Sequence, residues 1–598
     1  MATPLQSASI AAPGFFGLNT QESGITLESG FALQANNCVI DKFGRLGARK
    51  GWTFLDEVTD VNLQGMHRFV DIDATEYFGA WSDDTFYIYS AGSLTAVTYN
   101  GAQTLTDGNW QAVTLNDAAY LFQKNYEPLY FDTVGGTLED ISDSPSASGT
   151  PIEGNCALSA YGRVWTADTA TNATTIYWTD LLDPSRWNSG TAGSLDLSSI
   201  LVNGNDEIIA LGAHNGFLIV FCKNNIIIFG DSDTAQTYLD PTTLQLVEVI
   251  NGVGCIARDS VQNTGTDILF LSDSGLMSLG RVIQEKSTPM RDLSKNVRDD
   301  LVQLIESETP ANIKSAYSPT NAFYLLAFPT TKQVYCFDMR QPLQDGSARV
   351  TIWNNMEFTD WLAFDGEIYM THNDGLARYI GYQDNGSSYR MVYFTNYFDL
   401  GNASQTKILK RLAITVIGAT GQDFVVKSGF DYSDLYNNYP LTVKQATVAE
   451  YGGSPSITGT SATQSATTIT DEDAIRSVDL NGNVTTADKH YTVDFETSST
   501  GNYTKAVVVY LDSDTYYYWD QDSGDTRSAT TLYLLPNTGL AQYGSTSTEY
   551  TGGNLVDNVR VAGSGSGSVM QLGFEADLNG GALSIQKMDI YVKQGRTL

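Results

Sequence analysis

The chain has 598 residues, with 68 Asp and Glu against 34 Lys and Arg and a formal net charge of −34. That charge argues against a stable nucleic-acid binder, because phosphate neutralisation needs cations, and it favours solubility and repulsion of other polyanions. With 11% aromatic residues, 54 glycines and only 17% charged residues, the composition is that of an ordered, turn-rich β protein. The length allows about two to four domains.

The opening "MATPLQSASIAAPGFFG" has no basic region ahead of an apolar core, so no secretory leader is expected. No apolar run reaches the roughly 18 residues that a spanning helix needs. The five cysteines (Cys38, Cys156, Cys222, Cys255, Cys336) are far apart and form no CxxC pair. They read as small buried apolar residues of a chain made in a reducing cytoplasm.

Next comes "NNCVIDKFGRLGARKGW", residues 36–52, which holds Lys42, Arg45, Arg49 and Lys50 in one short window. A solvated strand and turn is the plain reading of such a cluster. Its density in so acidic a chain asks for a more specific one.

From about residue 60 to 390, short alternating strands are broken by Gly, Asp and Asn turns. "EYFGAWSDDTFYIYSAGSLTAVTY" (76–99) reads as three strands, and "AYLFQKNYEPLYFD" (119–132) as two. The scheme repeats at 157–180, 208–231, 267–281, 315–338 and 360–382, with hairpin turns at Asn215-Gly216, Asn224-Asn225, Ser274-Gly275 and Asp374-Gly375. Units recurring roughly every 45–55 residues that cannot bury both faces alone must stack, and a β-propeller of six or seven blades fits. One helix-like interruption, "RDLSKNVRDDLVQLIESE" (291–308), has apolar spacing at Val297, Leu301, Leu304 and Ile305.

After residue 390 the alternation lengthens, as in "TKILKRLAITVIGATGQDFVVKSGFDY", and returns in "SVMQLGFEADLNGGALSIQKMDIYVKQGR" (568–596). Between them, 441–559 is poor in bulky aliphatics and rich in Ser, Thr, Gly and Asp. The fold class is therefore all-β: a propeller over 61–390 and a β-sandwich-like domain built from 391–440 and 560–598. A long polar β-insertion, 441–559, leaves that sandwich.

The chemistry-bearing residues make no catalytic set. His67, His214, His372 and His490 lie in four separate segments, and there is no GxSxG elbow, HExxH helix or phosphate-cradling loop. The single "LSDSGLMSLG" (271–280) reads as a hairpin turn. Two acidic loops carry oxygen ligands on alternate residues: Asp479, Asn481, Asn483 and Asp488, then Asp512, Asp514, Asp520, Asp522 and Asp525. The first is two residues too short for a 12-residue calcium loop, the second has no central Gly, and both read as solvated turns. No catalytic residue, metal site or cofactor is expected.

The segment "APGFFGLNTQESGITLESGFALQANNCVIDKFGRLGARKGW" (12–52) resembles the start of the tail nozzle proteins, or tail tubular protein B, of short-tailed, podovirus-like bacteriophages. The resemblance rests on Pro13-Gly14, Leu18-Asn19, "FALQANNCVID", and Gly44-Arg45, Gly47 and Arg49-Lys50-Gly51. It extends to "YGRVWTADT…IYWTDLLDPSRW" (161–187) and to the ending of the chain, but not to 441–559.

The resemblance implies a non-enzymatic structural protein of the virion tail, synthesised in the host cytoplasm. It would form a homohexameric tube that retains genomic double-stranded DNA and then conducts it during ejection. An adaptor ring (tail tubular A type) would sit above, fibres or spikes at the side, a tip or needle protein below, and the host envelope beyond. Six copies would carry about −200 formal charges, and an anionic bore lets DNA slide without sticking. Residues 1–60 are then an N-terminal arm and strands for adaptor or subunit contact, and 441–559 the distal tip. Lys42, Arg45, Arg49 and Lys50 are the candidate interface cations, offsetting like-charge repulsion between acidic subunits. The competing reading is a receptor-binding or carbohydrate-active propeller of the virion. There Tyr516, Tyr517, Tyr518 and Trp519 would stack on glycans; a packed strand is the plainer reading of that run.

Overall fold

The computed structural model describes residues 5–597, except 71–73, 133–135, 202–205, 233–238, 286–291, 402–403, 420 and, between 444 and 554, everything but the strands of one sheet. The alternating segments form the strands their patterning demands. The first blade is Gly65–Val70, Glu76–Trp81, Phe86–Ser90 and Ser93–Val97, hydrogen-bonded in that order. Three more four-stranded antiparallel blades start at Gln111, Cys156 and Ile208. A three-stranded sheet (Gln262–Asn263, Ile268–Ser272, Gly275–Ser278) follows. The fifth blade is Lys314–Ser318, Phe323–Phe328, Gln333–Asp338 and Arg349–Asn354.

The sixth blade needs both ends of the propeller. Asp360–Phe364, Glu367–His372 and Gly375–Tyr379 supply three strands, and Trp52–Glu57 is the fourth, antiparallel to Gly375–Tyr379. The innermost strands touch in succession, and Asp360–Phe364 returns to Gly65–Val70, which closes the ring. Six four-stranded blades with one three-stranded sheet among them make a β-propeller. The core lies in wedges between blades rather than at one centre. Trp165, Trp178, Leu218 and Phe229 fill one wedge, and Trp353, Phe358, Trp361 and Met370 another. Burying each such side chain is worth about 1.5–3 kcal/mol.

The sandwich is continuous with the propeller. The outer strand of the fifth blade, Arg349–Asn354, pairs in parallel with Gly17–Leu18 and Phe31–Asn36. The same sheet then runs on through Tyr389–Thr395, Met570–Leu578, Asp423–Phe430 and Asn437–Thr442. A second sheet holds Cys38–Ile40, Leu46–Ala48, Leu583–Thr597, Gln405–Gly418 and Leu555–Ala562, with Gln6–Ala11 along Leu583–Thr597. Propeller and sandwich accordingly form one compact unit, Met1–Ile417, Asp423–Leu441 and Asn558–Leu598. Rather than a separate arm, the described part of 1–60 is woven into both sandwich sheets and the last blade. The second unit is Gly418–Gln422 with Thr442–Asp557, against the 441–559 read from composition. Its described part is a five-stranded sheet, Thr492–Glu496, Tyr503–Asp512, Thr515–Asp520, Asp525–Ala529 and Tyr533–Leu534.

Among the described residues, two α-helices interrupt the blades. Arg298–Ser307 follows a 3₁₀ turn at Lys295–Val297, so the helix expected over 291–308 is shorter than its apolar spacing suggested. The other, Leu279–Glu285, begins where "SLGR" had read as the end of a strand.

Candidate functional site

The four cations of 42–50 do not come together. Cys38–Ile40 and Leu46–Ala48 form a hairpin whose turn is tied by Asp41, which accepts from the Phe43 and Arg45 amides at 2.8 and 3.0 Å. Arg45 is half-buried; its Nε donates to Asp41 at 2.6 Å and its guanidinium lies 4.5 Å from the Phe43 ring centroid. Lys42 and Lys50 are exposed, and Phe43 is 58% exposed.

Arg49 corrects the sequence reading. Its side chain is fully buried and cannot face a neighbouring subunit. It donates from Nη1 and Nη2 to the two oxygens of Asp384 at 2.8 and 2.7 Å, and from Nε to Asn37 Oδ1 at 2.9 Å. It also stacks 4.1 Å from the Tyr389 ring centroid. This cation pins the hairpin to the end of the propeller chain. The next residue but one, Gly51, is required by close approach: a Cβ there would lie 1.8 Å from the Gln383 carbonyl oxygen. The backbone of 51–52 pairs with 380–383 at that point.

A second polar cluster closes the propeller axis. Residues just before or at the start of the innermost strands converge there: Asn109, Asn155, Arg258, Asp259, Lys314 and Asp360. Arg258 reaches across the ring, with Nη1 donating to the carbonyls of Asn109 and Asn155 at 3.2 and 2.8 Å and Nη2 to Asn109 Oδ1 at 2.9 Å. Its Nε and Nη2 grip Asp259 at 2.9 Å each, and Lys314 Nζ donates to Asp259 at 2.5 Å. Burial alone would raise the Asp259 pKa, but the two cations outweigh it and hold the carboxyl well below its usual range.

Asp360 shows the opposite balance. Burial pushes it up to about 6 against the pull of Lys314, with Asp259 adding to the rise. Its oxygens accept from the Met66 and Trp361 amides at 3.0 and 2.9 Å, which ties the last blade to the first. A cavity of about 520 Å³ opens beside Arg258, walled by Ile209, Ile256 and Ile305 and rimmed by Glu207, Lys223 and Glu306. All five donors of the Arg258 guanidinium are engaged, so it has none left for a substrate. The cluster is a pin through the ring.

Other reactive side chains are quenched. The five cysteines are buried and free, and burial pushes the Cys255 thiol up to about 11 and Cys156 to about 12, which leaves them protonated at neutral pH. Burial, with Arg68 nearby, lowers His67 to about 4, and its Nε2 lies 2.8 Å from Thr114 Oγ1. His372 is packed against Trp52, Phe54 and Phe358. Tyr516, Tyr517, Tyr518 and Trp519 fall on strand Thr515–Asp520 of the inserted sheet, and their side chains lie outside the described residues. His490 and the acidic loop at 479–488 lie outside them too, as do Asp514 and Asp522 of the second loop. Sequence reasoning missed Arg258, which opens a short 3₁₀ turn beside Asp259, and Asp384, because neither has a local pattern that marks its distant partners.

No protein-family model matches the chain, and no curated protein matches it. Among solved structures, it is similar to the extracellular domain of a protein from B. thetaiotaomicron described as a one-component system, at 11% identity and a TM-score of 0.36, covering 79% of this chain and 53% of that one. It is also similar to PorZ, a bacterial surface component of the type-IX secretion system of Porphyromonas gingivalis, at 10% identity and a TM-score of 0.30, covering 80% and 60%. The chain thus spans less than two thirds of the length of either. Similarity of this order identifies neither activity nor partner.

Proposed function

We propose that the chain is a non-enzymatic subunit of a short bacteriophage tail nozzle, a homohexameric tube that holds back and then conducts genomic DNA. The observation that carries the reading is the role of the resembling stretch 12–52. It supplies strands to both sandwich sheets and leads directly into the closing strand of the propeller, so the motif is architectural. Arg49 and Gly51 of the motif weld sandwich to propeller.

Two further features support the reading. Arg258 ties the starts of inner strands together across the ring, which suits a DNA path between subunits rather than through each ring. The formal charge of −34 per chain suits walls that repel phosphate. Lys42, Phe43 and Lys50, exposed on one hairpin, are the contact offered to a neighbouring subunit or the adaptor ring. The test is light scattering and class averaging of the purified chain, alone and with portal–adaptor complexes of the same phage. Six-fold rings stacked on the adaptor support the reading; a chain that stays monomeric in both conditions contradicts it.

A further inference from the structure

Where the fifth blade meets the N-terminal strands there is a cavity of about 430 Å³. Phe16, Phe31, Pro342 and Leu343 wall it, and Arg349 lies in its lining. Arg349 is only 8% exposed, yet among the described residues its guanidinium has no hydrogen bond and no carboxylate within 4.0 Å, and its Nε is buried without a partner. The guanidinium sits 6.0 Å from the centroid of the Phe16 ring, which meets Phe31 edge-on at 5.3 Å.

Asp338 is the neighbouring charge that favours the charged guanidinium electrostatically, but among the described residues no carboxylate hydrogen-bonds to Arg349. Asp338, opposite Arg349 in strand register, accepts from the Arg340 amide at 3.1 Å. Lys295 is held by Asp345 at 2.6 Å, and Asp345 also accepts from the Ser347 amide and hydroxyl. A guanidinium stays charged at any ordinary pH, and burying its N–H donors without hydrogen-bond acceptors is costly. A chain that keeps this arrangement gains an anion-binding fork with its desolvation already met.

We propose that this cavity binds a small monocarboxylate with an apolar, ring-sized body, its carboxylate on Arg349 and its body between Phe16, Phe31 and Leu343. A planar carboxylate matches the guanidinium fork. The cavity size falls in the range of small-molecule sites, roughly 300–1,000 Å³. Glu22 and Glu28, exposed at the mouth, repel polyanions, and with Lys295 already paired only one cation is free; both facts disfavour phosphate. The site is independent of the nozzle reading and stands or falls separately.

The test is calorimetric titration of the full chain with three probes sharing one ring: phenylacetate, phenyl phosphate and phenethylamine. Phenylacetate binds saturably with one site per chain, and the other two bind at least roughly tenfold more weakly. Arg349→Met weakens phenylacetate by roughly tenfold or more, while the probe-free melting temperature stays close to wild type because no side-chain hydrogen bond of Arg349 is lost. Arg349→Lys retains part of the affinity. If the Met variant does not fold, the anomalous signal of 4-bromophenylacetate soaked into crystals of the wild-type chain decides: bromine inside the cavity, against Phe16, Phe31 or Leu343, supports the site. Bromine elsewhere, no saturable phenylacetate binding, or phenyl phosphate or phenethylamine binding as tightly as phenylacetate overturns it.

Discussion

Arg49 and Asp384, 335 residues apart in sequence, close a two-pronged ion pair at 2.8 and 2.7 Å with the guanidinium wholly out of water. Removing one partner of such a pair strands the other. Arg49→Met should therefore cost about 3–5 kcal/mol in urea unfolding. Lys42→Glu and Lys50→Glu, on exposed side chains, should stay within about 0.5 kcal/mol of wild type while impairing ring assembly. An Arg49→Met chain as stable as wild type would show that the pair contributes nothing.

Gly51→Ala should be among the most damaging small substitutions in the chain. The added methyl meets a backbone carbonyl, which cannot rotate away as a side chain could. We expect a loss on the order of 3 kcal/mol or more and a sharp fall in soluble yield. Wild-type melting of the variant would mean that 51–52 and 380–383 separate without penalty.

His67 makes stability pH-dependent with a defined sign. Its pKa is lowered to about 4 in the fold, so between pH 4 and 6.5 the unfolded chain binds the proton more tightly, and folding loses stability as pH falls. The ring keeps some solvent contact, so of the roughly 3 kcal/mol this shift implies, about 2 is expected. Asp360, raised to about 6, acts in the opposite sense: its contribution is lost as pH rises from about 4 to 6. Comparing wild type with His67→Gln isolates the histidine. Their difference in unfolding free energy should grow with pH up to 6.5 and then level off; a difference that is flat across this window would refute the assignment.

Much of this organisation is legible in the sequence, and what is not has physical causes. Strict alternation with Gly and Asn turns made 76–99 and 208–231 readable, and Asn215 and Gly216 adopt the positive φ of 49° and 81° that such a turn needs. Leu279–Glu285 was not, since a short apolar run fits strand and helix equally. Arg49 looked like a surface cation because its carboxylate lies hundreds of residues away, and charge density says nothing about burial. The closing strand Trp52–Glu57 was assigned to an arm because its partner, Gly375–Tyr379, adjoins it only once the ring has closed. Arg349 carries no local signal at all; only its missing partner marks it.

The inserted unit should be separable. Its flanking strands, Asn437–Thr442 and Leu555–Ala562, both belong to the sandwich sheets, so a short Gly-Ser linker replacing 443–554 keeps those anchors. The shortened chain should unfold cooperatively with the wild-type transition of the remaining unit, followed by near-UV circular dichroism. Loss of that transition would mean that the sandwich depends on the insertion for its fold.

The central claim, a DNA-conducting nozzle, is tested most directly by cryo-EM of intact phage particles carrying this chain. The account predicts six copies around the tail axis below the adaptor, with each propeller standing off the axis and the bore between subunits lined by carboxylates. Copies found away from the axis as peripheral spikes, or a DNA path running through the propeller rings themselves, would contradict it.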